Sequence, residues 1–142
     1  SVAVPGATGG IHTNFAGKAR AALDELKRGQ DFVYMHIESP DEAGHQGSLE
    51  SKIWSIEQVD REVIGTVLRE LDDFNDIRIM LLPDHPTPLA TRTHSPEPVP
   101  FMIFDKRRPH NNHLAYDEAS ARDGIYIEEG HLLMDLFIKG SF

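Results

Sequence analysis

No cysteine occurs in the chain, which excludes a disulfide framework and any thiolate-bound metal. No apolar run approaches the roughly 20 residues that a helix needs to cross a bilayer. The small, glycine-rich opening over residues 1–10 also lacks the basic-then-apolar pattern of a secretory leader. A cytoplasmic location is the expectation. Positive charge is scarce too: 14 Lys and Arg stand against 23 Asp and Glu, a net charge of −9. That balance argues against nucleic acid or an anionic membrane as a partner, because both call for a basic surface. It leaves a phosphorylated small molecule open, since bound divalent cations can be the largest local charges in a site.

What is present is an ordinary globular composition. The 142 residues are 39% hydrophobic and 26% charged, enough for one domain with a sizeable core. The expectation is a single α/β domain over residues 1–142. The chain opens at Ser1 without methionine and runs at once into glycine-rich sequence. It reads as an excised piece of something longer.

Apolar periodicity sets out the elements. Residues 2–12 read as a strand-to-helix loop, with Gly6, Gly9 and Gly10 matching neither the dinucleotide fingerprint nor the P-loop spacing. Over 14–28, Phe15, Ala19, Ala22, Leu23 and Leu26 share a helical face, with Thr13 or Asn14 as cap and Gly29 as stop. Residues 31–38 read as a strand, with Phe32, Tyr34, His36 and Glu38 on one side and Val33, Met35 and Ile37 on the other. His36 is either a hydrogen-bonded core residue or a partner that orients a metal ligand.

Residues 48–71 predict the longest helix, capped by Ser48, with a broad apolar stripe from Leu49 through Ile53, Ile56, Val59 and Val63 to Leu71. Asp60 falls in that stripe and reads as a paired structural acid. Residues 76–82 and 99–104 are two further strands, separated by a proline-punctuated loop over 83–98. Lys106, Arg107 and Arg108 form a small basic turn, and residues 115–123 and 130–138 predict short helices. Helix, strand, helix, strand, strand and helices in this order predict a mostly parallel α/β sheet flanked by helices.

Chemistry gathers just past the carboxyl ends of strands in such sheets. Asp41 and His45 lie in the segment after the 31–38 strand, read as a loop; Asp84 and His85 follow the 76–82 strand; His94 lies further along the same long loop. Carboxylate and imidazole without sulfur suit Mn²⁺, Mg²⁺ or Zn²⁺. Neighbouring strands lie about 4.8 Å apart, so two strand ends can serve two ions about 3.5–4 Å apart, the spacing of two-metal phosphoryl chemistry. The five side chains are therefore expected to converge on metal. The competing reading is that Asp-His pairs at such spacings are structural and the chain is a non-catalytic domain.

Three ordered motifs carry a resemblance: residues 31–47 (DFVYMHIESPDEAGHQG), Leu82-Pro83-Asp84-His85, and Thr93-His94 followed by Pro98-Val99-Pro100-Phe101. Together they resemble the cofactor-independent phosphoglycerate mutases of the alkaline phosphatase superfamily, most closely the archaeal-type branch. The resemblance covers the chain to about Asp105. It implies a partial alkaline-phosphatase-like fold, with Asp41, His45 and His94 holding one divalent ion and Asp84 and His85 helping to hold a second. It further implies an isomerase that moves the phosphoryl group of phosphoglycerate through a phosphoserine. The nucleophilic serine and an early metal-binding aspartate belong to the N-terminal half, so Ser39, Ser48 and Ser51 are not nucleophiles and this portion alone is expected to be inactive. Arg92 is the nearest charged candidate for substrate contact. A metal-dependent phosphatase, phosphotransferase or homoserine-kinase-labelled relative of the same superfamily is the alternative.

Overall fold

The computed structural model describes residues 1–108 and 114–141. They form two compact units, one of residues 1–74 with 87–95, the other of residues 75–86 with those from 96 onward.

In the first unit, Asn14 starts helix α1 (Phe15–Lys27). Its side-chain oxygen accepts from the Gly17 N–H at 2.9 Å, and its amide donates to the Pro5 carbonyl at 2.9 Å. One residue thus caps the helix and ties down the loop before it. Phe15, Ala19 and Leu23 are buried, as their spacing predicts. Phe15 and Ala19 form a core with Val63, against which Met35, Ile37, Trp54 and Val59 pack. At the far end of α1, the Lys27 ammonium donates to Asp73 and Glu70, and these hydrogen bonds raise its pKa.

Residues 31–38 depart from expectation. They keep the predicted alternation, with Phe32, Tyr34, His36 and Glu38 exposed and Val33, Met35 and Ile37 half-buried, yet they form no strand. The apolar side chains have a core to face, but among the described residues no neighbouring strand pairs with this backbone. His36 is consequently not a core residue. It is exposed, stacked on Tyr34, with its Nε2 3.7 Å from Glu38 Oε1.

The segment read as a loop is instead helix α2 (Ser39–Gln46). Pro40 lies in the first turn with Asp41 and Glu42, and Gly47 closes the helix in the left-handed conformation at φ 66°. These are helix-start and helix-stop signals. The predicted long helix is also divided: α3 (Leu49–Gln58), a π-helical stretch (Val59–Ile64), then α4 (Gly65–Arg69). Ser48 caps α3 as expected, accepting from the Ser51 N–H. The wide apolar stripe serves two surfaces. Val63 is buried and Trp54 and Val59 pack against the core beside it, whereas Leu49, Ile53, Ile56 and Leu68 are exposed. Asp60 is exposed too, so no burial demands a partner for it.

The second unit holds the one sheet found among the described residues, and it is antiparallel rather than mostly parallel. Strand β1 (Arg78–Leu81) pairs with β2 (Met102–Asp105), placing Arg78 opposite Asp105. Arg78 Nε and Nη2 donate to Asp105 Oδ2 at 3.0 and 2.8 Å, and Nη1 reaches the Phe137 carbonyl at 2.5 Å. One guanidinium therefore joins the sheet to helix α6 (Leu133–Lys139). Asp117 caps the short α5 (Glu118–Ala121), and Tyr116 donates to the Pro100 carbonyl at 3.2 Å. The basic turn is an ordinary surface turn, with Arg107 Nε 3.0 Å from Asp76 Oδ1. No helix of the described residues is long and apolar enough to cross a membrane.

The hydrogen bond from Arg78 holds the Asp105 carboxyl below its usual pKa, against the opposing effect of burial. A carboxylate whose folded pKa lies below its unfolded value of about 3.9 stabilises fully above that value and loses the contribution as pH falls through the folded one. Asp105→Asn is expected to destabilise the second unit at pH 7 by on the order of 1–2 kcal/mol, the worth of a charged hydrogen-bonded pair. In thermal unfolding across pH 2–7, the gap between the two proteins should close below about pH 4.

Candidate metal centre

Residues four apart on a helix share a face, so the fold of residues 39–46 as α2 sets Asp41 and His45 one above the other. Asp41 Oδ2 lies 3.3 Å from His45 Nε2. The helix is fixed at its start by Ser39, which is fully buried. Its hydroxyl donates to the Ile11 carbonyl at 2.8 Å and lies 2.8 Å from the hydroxyl of Ser55, likewise fully buried.

The third group arrives on the loop over residues 87–95, which lies directly against α2. Gly44 makes that approach possible: a Cβ there would stand 2.7 Å from the Thr87 carbonyl oxygen, whereas beside Gly47 lies only the flexible Arg92 side chain. The loop turns at Arg92, which adopts the left-handed conformation at φ 55°. It then presents His94, whose Nε2 is 3.4 Å from Asp41 Oδ1 and 3.1 Å from His45 Nε2. The ligand atoms of Asp41, His45 and His94 all lie within 4.8 Å of one another.

The donor chemistry fits a divalent cation. His45 Nδ1 is 2.9 Å from the Arg92 carbonyl. A carbonyl only accepts, so the neutral imidazole carries its proton on Nδ1 and turns the Nε2 lone pair inward. Two imidazole nitrogens and a carboxylate oxygen then point at one locus. Such a set suits Zn²⁺ or Mn²⁺ and leaves room for water or substrate oxygen. The three side chains are 28%, 37% and 51% exposed, so the locus opens to solvent.

Asp84 and His85 belong to the second unit. His85 Nε2 is 3.3 Å from Asp84 Oδ2, and the His85 N–H donates to Asp84 Oδ1 at 3.0 Å. Of the five residues expected to converge, the structure thus gathers Asp41, His45 and His94 within one unit. Each serine set aside as nucleophile has structural contacts: Ser39 is buried in its hydrogen bonds, and Ser48 and Ser51 cap α3 between them. His36 lies outside the cluster. Two residues that the sequence did not single out do touch it or its support. Thr87 donates to Asp41 Oδ1, and Lys52 Nζ donates to the Thr87 carbonyl at 2.5 Å. Neither carries a periodicity or a ligand spacing that would have marked it.

The family described as the Metalloenzyme superfamily matches residues 1–136. The 2,3-bisphosphoglycerate-independent phosphoglycerate mutase of Methanothrix thermoacetophila is 50% identical over 139 residues, covering 96% of this chain and 35% of that protein. The protein named 2,3-bisphosphoglycerate-independent phosphoglycerate mutase 2 of Methanothermobacter thermautotrophicus is 43% identical, covering 97% of this chain and 34% of that protein. The chain therefore spans about a third of the length of the curated relatives it matches. Among solved structures, the PH0037 protein of Pyrococcus horikoshii superposes with a TM-score of 0.81 at 30% identity, over 96% of this chain and 41% of that one.

Titration of the chain with Mn²⁺ or Zn²⁺ by calorimetry should detect one binding event. Asp41→Ala and His45→Ala should each weaken it by more than about 100-fold, beyond the 10–100-fold typical of supporting residues. His36→Ala should leave it unchanged.

Proposed function

This chain belongs to the Metalloenzyme superfamily, and we propose that it supplies the C-terminal metal-binding portion of a 2,3-bisphosphoglycerate-independent phosphoglycerate mutase. The observation that carries the reading is the convergence of Asp41, His45 and His94, in a chain that matches mutases of that name along nearly its whole length. The reaction interconverts 3- and 2-phosphoglycerate. A serine outside this chain takes the phosphoryl group from one hydroxyl of glycerate and returns it to the neighbouring one.

Asp41, His45 and His94 hold one divalent ion; Asp84 and His85 supply part of a second set, completed by residues outside this chain. Bound ions offset the charge on phosphoryl oxygens and lower the pKa of a coordinated hydroxyl. The chain's own contribution is positional. Helix α2 and the 87–95 loop keep three ligand atoms together, and the His45 Nδ1–H bond to the Arg92 carbonyl keeps the correct nitrogen inward. The Arg92 guanidinium, placed over Gly47, is the candidate contact for substrate phosphate or carboxylate.

The fold reading extends in the same direction. Residues 31–38 have the side-chain alternation of a strand without a partner. In the longer enzyme they join a mostly parallel sheet whose other strands come from outside this chain. The described absence of a long apolar helix and the metabolic substrate fit a cytoplasmic enzyme.

The test is a chimera in which this chain replaces the matching third of the Methanothrix relative. It should interconvert 3- and 2-phosphoglycerate, and Asp41→Ala within it should lower kcat by at least about 100-fold, the scale of losing one transition-state charge stabiliser. The isolated chain should show no interconversion. A folded chimera that hydrolyses other phosphate esters while ignoring phosphoglycerate would overturn the substrate, and turnover by the isolated chain would overturn the division of labour.

A further inference from the structure

Asp41 can present an oxygen to a cation only if its carboxylate plane is held. Its helical neighbour His45 approaches Oδ2. Support for Oδ1 comes from the loop. Thr87 is only 5% exposed, and its hydroxyl donates to Asp41 Oδ1. Its position is fixed from two further sides. Lys52, on α3, donates its ammonium to the Thr87 carbonyl at 2.5 Å. Gly44, on α2, leaves the space that lets that carbonyl and the Thr87 methyl lie against the helix, where a Cβ would meet them at 2.7 and 2.8 Å.

We propose that Thr87, braced by Lys52, is a positioning residue that orients Asp41 for metal binding. The inference rests on the reading of Asp41, His45 and His94 as a metal site and adds to it the group that aims the carboxylate. The hydroxyl occupies one lone pair of Oδ1 and fixes the rotation of the carboxyl group. With that rotation set, Oδ2 lies 3.3 Å from His45 Nε2 and Oδ1 lies 3.4 Å from His94 Nε2. A carboxylate ligand that is itself hydrogen-bonded is the usual arrangement at metal sites, and such outer partners typically govern affinity by about 10–100-fold. Lys52 acts one step further out. By gripping the loop carbonyl, it keeps the Thr87 hydroxyl at its post.

The experiment is calorimetric titration of the 142-residue chain with MnCl₂ and with ZnCl₂. Thr87→Val removes the hydroxyl at nearly constant volume and should weaken binding by about 10–100-fold with unchanged stoichiometry. Thr87→Ser restores the hydroxyl without the methyl group and should return affinity to within about threefold of the unmodified chain, a rescue that a packing role would not give. Lys52→Met should weaken binding by about 3–10-fold, a smaller loss because it acts through Thr87. Circular dichroism checks that each variant folds; if Thr87→Val does not, Thr87→Ser and Lys52→Met decide. Unaltered affinity in a folded Thr87→Val or Lys52→Met, or affinity in Thr87→Ser well below the expected range, overturns the proposal. If the unmodified chain binds neither ion, the metal-site reading falls and takes this one with it. If Asp41→Ala abolishes binding while Thr87→Val leaves it intact, only this inference fails.

Discussion

Two hydroxyls with no exposure to solvent hold the site together. Ser39 opens helix α2 and Ser55 sits mid-way along α3; their oxygens are 2.8 Å apart, and Ser39 also donates to the Ile11 carbonyl at 2.8 Å. Three separate stretches of chain meet at this point. Leaving one buried hydroxyl without its partner costs about 1–3 kcal/mol, so the meeting is specific: an apolar substitution on one side strands the polar group on the other. The direction in which the common face of Asp41 and His45 points depends on how α2 is seated at Ser39. A shift of one residue would turn that face by about 100°.

The loop over residues 87–95 depends on the same helix from the other side. It carries no regular hydrogen-bonding pattern of its own, yet it delivers His94 to within 3.4 Å of Asp41. It can do so because α2 offers bare backbone at Gly44, and because polar groups on the helices grip the loop: Lys52 at the Thr87 carbonyl and His45 at the Arg92 carbonyl. His45 therefore has two tasks on its two nitrogens. Nδ1 holds the loop that brings in His94, and Nε2 faces His94 across 3.1 Å. At that distance either a proton or a cation can sit between the two nitrogens, so the cluster can hold one or the other.

Sequence periodicity located the elements that rest on local rules. The cap at Asn14, the buried face of α1 and the cap at Ser48 were legible because each depends on residues within one or two turns. The clustered side chains Asp41, His45 and His94 were legible as types in the right order along the chain. The helical state of the segment holding the first two is signalled by Pro40, the acids after it and Gly47, but the apolar run before it alternates like a strand and so predicts a post-strand loop. Asp60 and His36 were misplaced for a different reason. Periodicity tells which residues share a face, and only the neighbours tell whether that face is covered. Thr87 and Lys52 act through a single hydroxyl and a backbone carbonyl, contacts 46 and 35 residues apart in sequence that no local pattern encodes.

The same distinction explains the apolar surface. Phe32 and Tyr34 are 47% and 69% exposed on an extended segment, and Leu49, Ile53 and Ile56 are 61%, 49% and 53% exposed on α3. Single exposed apolar residues are ordinary, but sets repeating with the period of their own element are not scattered at random. Positions 32 and 34 follow a strand's period of two, and positions 49, 53 and 56 follow a helix's three-to-four. The opposite faces of both elements pack on the Phe15, Ala19 and Val63 core through Met35, Ile37, Trp54 and Val59. Both elements are thus apolar on two sides, the pattern of elements buried between layers and not of a surface helix or an edge strand. A sequence built this way is matched to more covering structure than these residues supply, as expected of a chain that spans about a third of its relatives' length.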